Sequence, residues 1–190
     1  MSRGVSRNTK RMTVCAVLAA MSVALIFIGS IIQTLDLSMA ALASFFCIFA
    51  VIEIKGAYPW LLYAVTGVLS VILMPQNMAG WFYLLFLGYY PVLKEKIEKL
   101  NLILSWIVKI LIFNVALIVC VLAASLIFYG GNMIQALYGI LGAEGWGMYA
   151  IIGMYLLGNV VFVVYDIALT RLITYYFVKL RHRFKFLHIS

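Results

Sequence analysis

The residues able to do chemistry in this 190-residue chain are few, and several interrupt long apolar runs. Lys109 and Asn114 lie in one run, Asn159 and Asp166 in another. Charges and amides are costly in lipid, so each is a functional candidate. Lys109 sits about seven residues, roughly 10 Å, inside its run at the helical rise. Asp166 lies at comparable depth, before Arg171. The two suit a structural ion pair, because a lone buried charge is expensive. One acid and one base do not make a proton relay. Asn114 and Asn159, nearer the middle of their runs, suit either interhelical hydrogen bonds or the lining of a cavity.

A second polar set lies between the runs: Gln33, Asp36, Gln76, Asn77, Asn132, Gln135 and Glu144, beside Trp81, Tyr83, Tyr138, Trp146 and Tyr149. Polar groups mixed with aromatics fit a small-molecule pocket, and equally a lipid headgroup boundary. The glycine-rich stretch 130–147 is too short for a membrane span. It reads as a solvated connection, an interfacial helix or a glycine-hinged lid. The chain has no HExxH, GxSxG, Walker A or CxxC pattern, so neither a catalytic residue nor a cofactor or metal site is expected. Cys15, Cys47 and Cys120 fall in apolar runs and read as packing residues. His182 and His188 lie in a basic tail without metal-ligand spacing.

The elements that must position these residues are membrane helices. Hydrophobic residues make up 66% of the chain and charged ones 11%, with mean hydropathy +1.12. A soluble domain is nearer half apolar and a quarter charged, so a soluble enzyme, a disordered tail and a disulfide scaffold are excluded. A span needs roughly 20 apolar residues. The runs predict an all-α membrane protein with six transmembrane helices: Met12–Ile32, Ser38–Ile54, Ala57–Met74, Met78–Leu93, Leu102–Tyr129 and Gly147–Val178. Residues 1–11 form a basic N-terminal tail, 12–178 the transmembrane domain and 179–190 a basic C-terminal tail. All 14 Lys and Arg residues fall on or near one side of this arrangement, and the opposite loops have none. By the positive-inside rule both termini are cytoplasmic. Only Asp36 and Glu144 then remain as outer acids. The net charge of +8 is accounted for by topology and anionic lipid, with no nucleic acid partner expected.

The first run carries Ala16, Ala20 and Ala24 at i, i+4 and i+8, widened by Ala19 and Ser22. Small residues let membrane helices approach closely, either within the chain or against a partner. The second span opens with the small-residue run Ser38-Met39-Ala40-Ala41-Leu42-Ala43-Ser44, and the third contains Ala64, Gly67 and Ser70. With the chain length, the six spans, the cytoplasmic ends and the basic tail leading into an Ala-x-x-x-Ala helix, residues 7–180 resemble a substrate-binding S component of an energy-coupling factor (ECF) vitamin transporter.

That resemblance implies a multi-pass protein of a bacterial plasma membrane that captures a vitamin or similar micronutrient from outside. A membrane coupling protein and two ATPases would drive uptake, docking on Ala16, Ala20 and Ala24. It places the ligand in the outer half, near Gln33, Asp36, Gln76, Asn77, Trp81, Asn132, Tyr138, Trp146 and Asn159. Two other readings stand beside it. One is a non-transport assembly or regulatory protein docking partners through its helix faces. The other is a stand-alone small-solute carrier. The segment Gly88-Tyr89-Tyr90-Pro91-Val92-Leu93-Lys94 is distinctive without indicating a substrate.

Overall fold

The computed structural model describes residues 2–32, 35–54, 56–128, 130–132, 135, 147–176 and 178, with side chains from residue 8 onward, excepting 147–151 and 154. Every regular element among them is helical: α1 (Ser2–Ile31), α2 (Asp36–Glu53), α3 (Tyr58–Leu73), α4 (Met78–Phe82), a π-helical turn (Tyr83–Leu87), α5 (Tyr90–Ile97), α6 (Leu102–Phe128) and α7 (Gly147–Tyr175). Counting the interrupted stretch α4–π–α5 as one gives six. Four helices, Asn8–Ile31 within α1, α2, α6 and Tyr155–Tyr175 within α7, are long and apolar enough to cross a membrane. The chain therefore reads as a multi-pass membrane protein.

The other two expected spans depart from simple helices. α3 has 16 residues, roughly 24 Å at the helical rise, short of the about 30 Å hydrocarbon layer. The fourth is broken at its centre and continues to Ile97 rather than stopping at Leu93. Lys94 is consequently no loop cation. It lies buried on α5, its Nζ 3.0 Å from Glu98 Oε1 one turn on.

The chain packs as two units, residues 1–100 with 171–190, and residues 101–170. In the first, α1 lies against α2 and α3. Cys15, Leu18 and Ala19 of α1 meet Cys47, Ala50 and Val51 of α2 and Ile54 at its C-cap, with Leu62 and Val92 completing the core. The α1–α2 seam is tight because its residues are small. Ser22 Oγ bonds the Leu18 carbonyl at 2.8 Å and reaches the Ala43 carbonyl at 3.4 Å. Gly56, at φ +73°, makes the turn into α3, where Pro59 occupies the first turn without loss of a helical hydrogen bond. Beyond the core, the Tyr176 hydroxyl donates to Glu53 Oε1 at 2.7 Å and its ring meets Phe49 edge-on.

Three glycines let α3 and the interrupted stretch touch. A Cβ on Gly67 would lie 2.5 Å from Leu84 Cδ1, and one on Gly80 3.3 Å from the Ser70 backbone. A Cβ on Gly88 would lie 2.6 Å from Tyr63 Cδ2 and 2.7 Å from Tyr83 Cε1. Gly88 has an ordinary helical φ of −75°, so space rather than torsion selects glycine here. Gly88→Ala should overpack the two rings and cost about 1–3 kcal/mol. A lower apparent melting temperature in detergent would be the readout, and an unchanged one would show that the rings give way.

In the second unit α6 and α7 run antiparallel in a fixed register. Lys109 meets Asp166, Phe113 stacks on Phe162 with ring centroids 4.5 Å apart, and Leu117 faces Gly158. Each step of four along α6 is matched by a step of four back along α7.

Candidate functional site

The polar groups of the second unit form a ladder between α6 and α7. Lys109 Nζ donates to Asp166 Oδ2 at 2.9 Å, with both side chains buried, so the ion pair expected from sequence is formed. The ammonium also lies 5.3 Å from the Trp106 ring centroid, a cation–π contact. Beyond the Phe113–Phe162 stack, Asn114 Nδ2 donates to the Ile110 carbonyl at 2.8 Å and to Asn159 Oδ1 at 3.2 Å. The Tyr155 hydroxyl donates to Asn114 Oδ1. Asn159 Nδ2 returns to the Tyr155 carbonyl at 3.0 Å. The two amides thus bond one another and their own helices, which supports interhelical hydrogen bonding over cavity lining. Tyr155 was not anticipated, although its place one turn before Asn159 carried the signal.

The first unit brings together part of the expected ligand set. Asn77 caps α4 in an extended conformation, its Oδ1 accepting from the Ala79 amide at 2.5 Å. Its Nδ2 donates to Asp36 Oδ1 at 3.3 Å. Asp36 opens α2, where a carboxylate complements the helix dipole. The Trp81 indole donates to the Pro75 carbonyl at 3.0 Å, closing the same turn. One carboxylate, one amide and one indole are therefore held where α2 starts and α3 hands over to α4. Gln76, on that turn, is exposed. Asn132 and Asn159 belong to the second unit. Asn132 is exposed, and its Oδ1 accepts from the Gln135 amide at 3.5 Å. Gln33, Tyr138, Trp146 and most of the 130–147 stretch lie outside the described residues.

On α1 the faces sort sharply. Cys15, Leu18, Ala19, Ser22 and Ile26 are buried, whereas Ala16, Ala20 and Ala24 are exposed. Ala19 and Ser22 thus part from the stripe they were expected to widen, because they form the inner seam. No family model, curated protein or solved structure matches this chain. A reading of function accordingly rests on its own residues.

The interrupted fourth segment is the feature sequence reasoning missed. The Tyr63 hydroxyl donates to the Leu84 carbonyl at 2.7 Å, within the π turn. The Gly88 amide reaches back five residues to the Tyr83 carbonyl at 2.8 Å. Such turns inside helices frequently mark functional sites. The only sequence signal was the cluster of glycine, tyrosine and proline at 88–91.

Proposed function

We propose that the chain is the substrate-binding subunit of an ECF-type importer, a non-catalytic membrane protein that captures a small micronutrient for ATP-driven uptake. On this reading it has six crossings, with both termini cytoplasmic and the Asp36–Asn77–Trp81 end outside. It sits in a plasma membrane and works with a membrane coupling protein and two ATPases. The observation that supports it most is the division of α1. One face is committed to the core, while the adjacent face presents Ala16, Ala20 and Ala24 exposed, open to close approach by a partner helix. The polar contact between Asp36 and Asn77, with the Trp81 indole bonded to the same turn, supports ligand capture at that end of the protein.

The same exposed alanine face also favours the second reading, a membrane assembly or regulatory protein with no ligand. Native mass spectrometry of the protein purified from membranes separates the two. The importer reading expects a small molecule bound with defined stoichiometry and released on unfolding. Repeated purification of the bare chain from ligand-replete medium, without any uptake activity in cells, would favour the regulatory reading. A stand-alone carrier is disfavoured by the α6–α7 ladder, whose amides and charges bond one another instead of lining a polar path.

A further inference from the structure

Serine and threonine in apolar helices usually donate their hydroxyl to the carbonyl one turn back. This chain follows the habit at Thr13, Ser22 and Thr170, each bonded to residue i−4 at 2.8–3.0 Å. Thr66 and Ser70 break it. Both are fully buried on α3, and neither hydroxyl has a partner. A buried unsatisfied hydroxyl carries a desolvation cost, so two on successive turns need an explanation.

Their surroundings suggest one. Ser70 lies against Gly80, the glycine that brings α4 onto α3. α4 has only five residues, is capped by Asn77 and gives way at once to the π turn. A short helix followed by a non-α turn is suited to movement as a lid. The seam is also uncharged. α3, α4 and the π turn contain no Asp, Glu, Lys or Arg, and α2 carries acids only at its two ends. The next cation along the chain, Lys94, is paired with Glu98.

We propose that the α3–α4 seam is the inner end of the ligand site, and that it takes an uncharged hydrogen-bonding group of the ligand, an amide, hydroxyl or neutral heteroaromatic ring, against Ser70, with the Thr66 hydroxyl one turn back along α3. α4 moves off α3 to admit it, and the Ser70 hydroxyl then gains the partner it lacks. This rests on the reading of the Asp36–Asn77 end as ligand-binding. It deepens that reading by assigning the ligand's buried part to a neutral class, since a charge there would stay unpaired in a low-dielectric seam.

The test is cysteine labelling of S70C in membrane vesicles, resolved by peptide mass spectrometry. The probes are neutral methyl methanethiosulfonate and its sulfonatoethyl and trimethylammonium-ethyl analogues. Native Cys47, equally buried but in the packed core, is the internal control. A seam that opens locally exposes its thiol far more often than a core position does. The neutral reagent should therefore modify the S70C thiol at least about tenfold faster than Cys47. The two charged reagents should be no faster at S70C than at Cys47. Equal, slow modification of both thiols by the neutral reagent would overturn the proposal by showing a closed core. Rapid modification by a charged reagent would overturn it by showing an aqueous path.

S70A gives an independent check. Removing an unpartnered hydroxyl should leave the apparent melting temperature of the ligand-free protein unchanged or raised, whereas a fall would show that the hydroxyl is bonded in the fold. The labelling requires neither coupling protein nor ATPases. An inert S70C thiol in a protein that carries a ligand by native mass spectrometry removes the seam and leaves the importer reading intact.

Discussion

Replacing either member of the Lys109–Asp166 pair should destabilise the protein severely, and replacing both should restore most of the loss. The pair is buried, with Nζ and Oδ2 2.9 Å apart. Lys109→Met leaves a carboxylate, and Asp166→Leu an ammonium, without its counter-charge between two apolar helices. Breaking a buried pair from one side costs about 3–5 kcal/mol, while exchanging both charges for apolar side chains is often neutral or stabilising. Thermal unfolding in detergent of K109M, D166L and the double variant gives the cycle. Each single variant should fall well below the wild type, with the double variant near it. Additive losses would show that the two charges act independently. The α6–α7 register makes the expectation specific, because the Phe113–Phe162 stack and the Asn114–Asn159 contact on the same interface remain to hold the helices in place.

Enlarging the exposed face of α1 should leave the fold intact while abolishing partner capture. Ala16 and Ala20 point away from the core that Cys15, Leu18, Ala19 and Ser22 help to build. Both positions are exposed, so an indole at either is not forced into that core. It would hold a partner helix off the small-residue contact that close approach needs. Ala16→Trp and Ala20→Trp should retain the wild-type melting temperature and any bound ligand. Recovery of the coupling protein and ATPases by pull-down, and uptake in cells, should both be lost. As a control on the adjacent buried face, Ala19→Trp should overpack the core at a cost of about 1–3 kcal/mol. Reduced stability of A16W with normal recovery of partners would end the docking assignment and, with it, the main support for the importer reading.

Lipid as the solvent and helices as the elements were legible in the amino-acid sequence, though not where the helices break. Long apolar runs have one stable form in lipid, the helix, because every backbone amide and carbonyl must be bonded internally. The Lys109–Asp166 pair was legible for a related reason: two opposite charges at similar depth in neighbouring apolar runs have few other ways to avoid standing alone. Tertiary structure decided what local pattern leaves degenerate. α1 bears small residues on two adjacent faces, Ala16/Ala20/Ala24 and Cys15/Ala19/Ser22, only one residue or about 100° apart on a helix. Which face packs depends on the complementary small residues of α2, not on α1. The π turn was likewise hidden, since its sequence Tyr-Leu-Leu-Phe-Leu is ordinary helix former, and its extra residue is stabilised by a hydroxyl from Tyr63 on another helix. Asp36 and Asn77 are 41 residues apart and meet only because α3 returns the chain beside the start of α2. Thr66 and Ser70 look like ordinary small helix residues in the sequence. Only the packed structure shows that their hydroxyls, unlike that of Ser22, are buried without a partner.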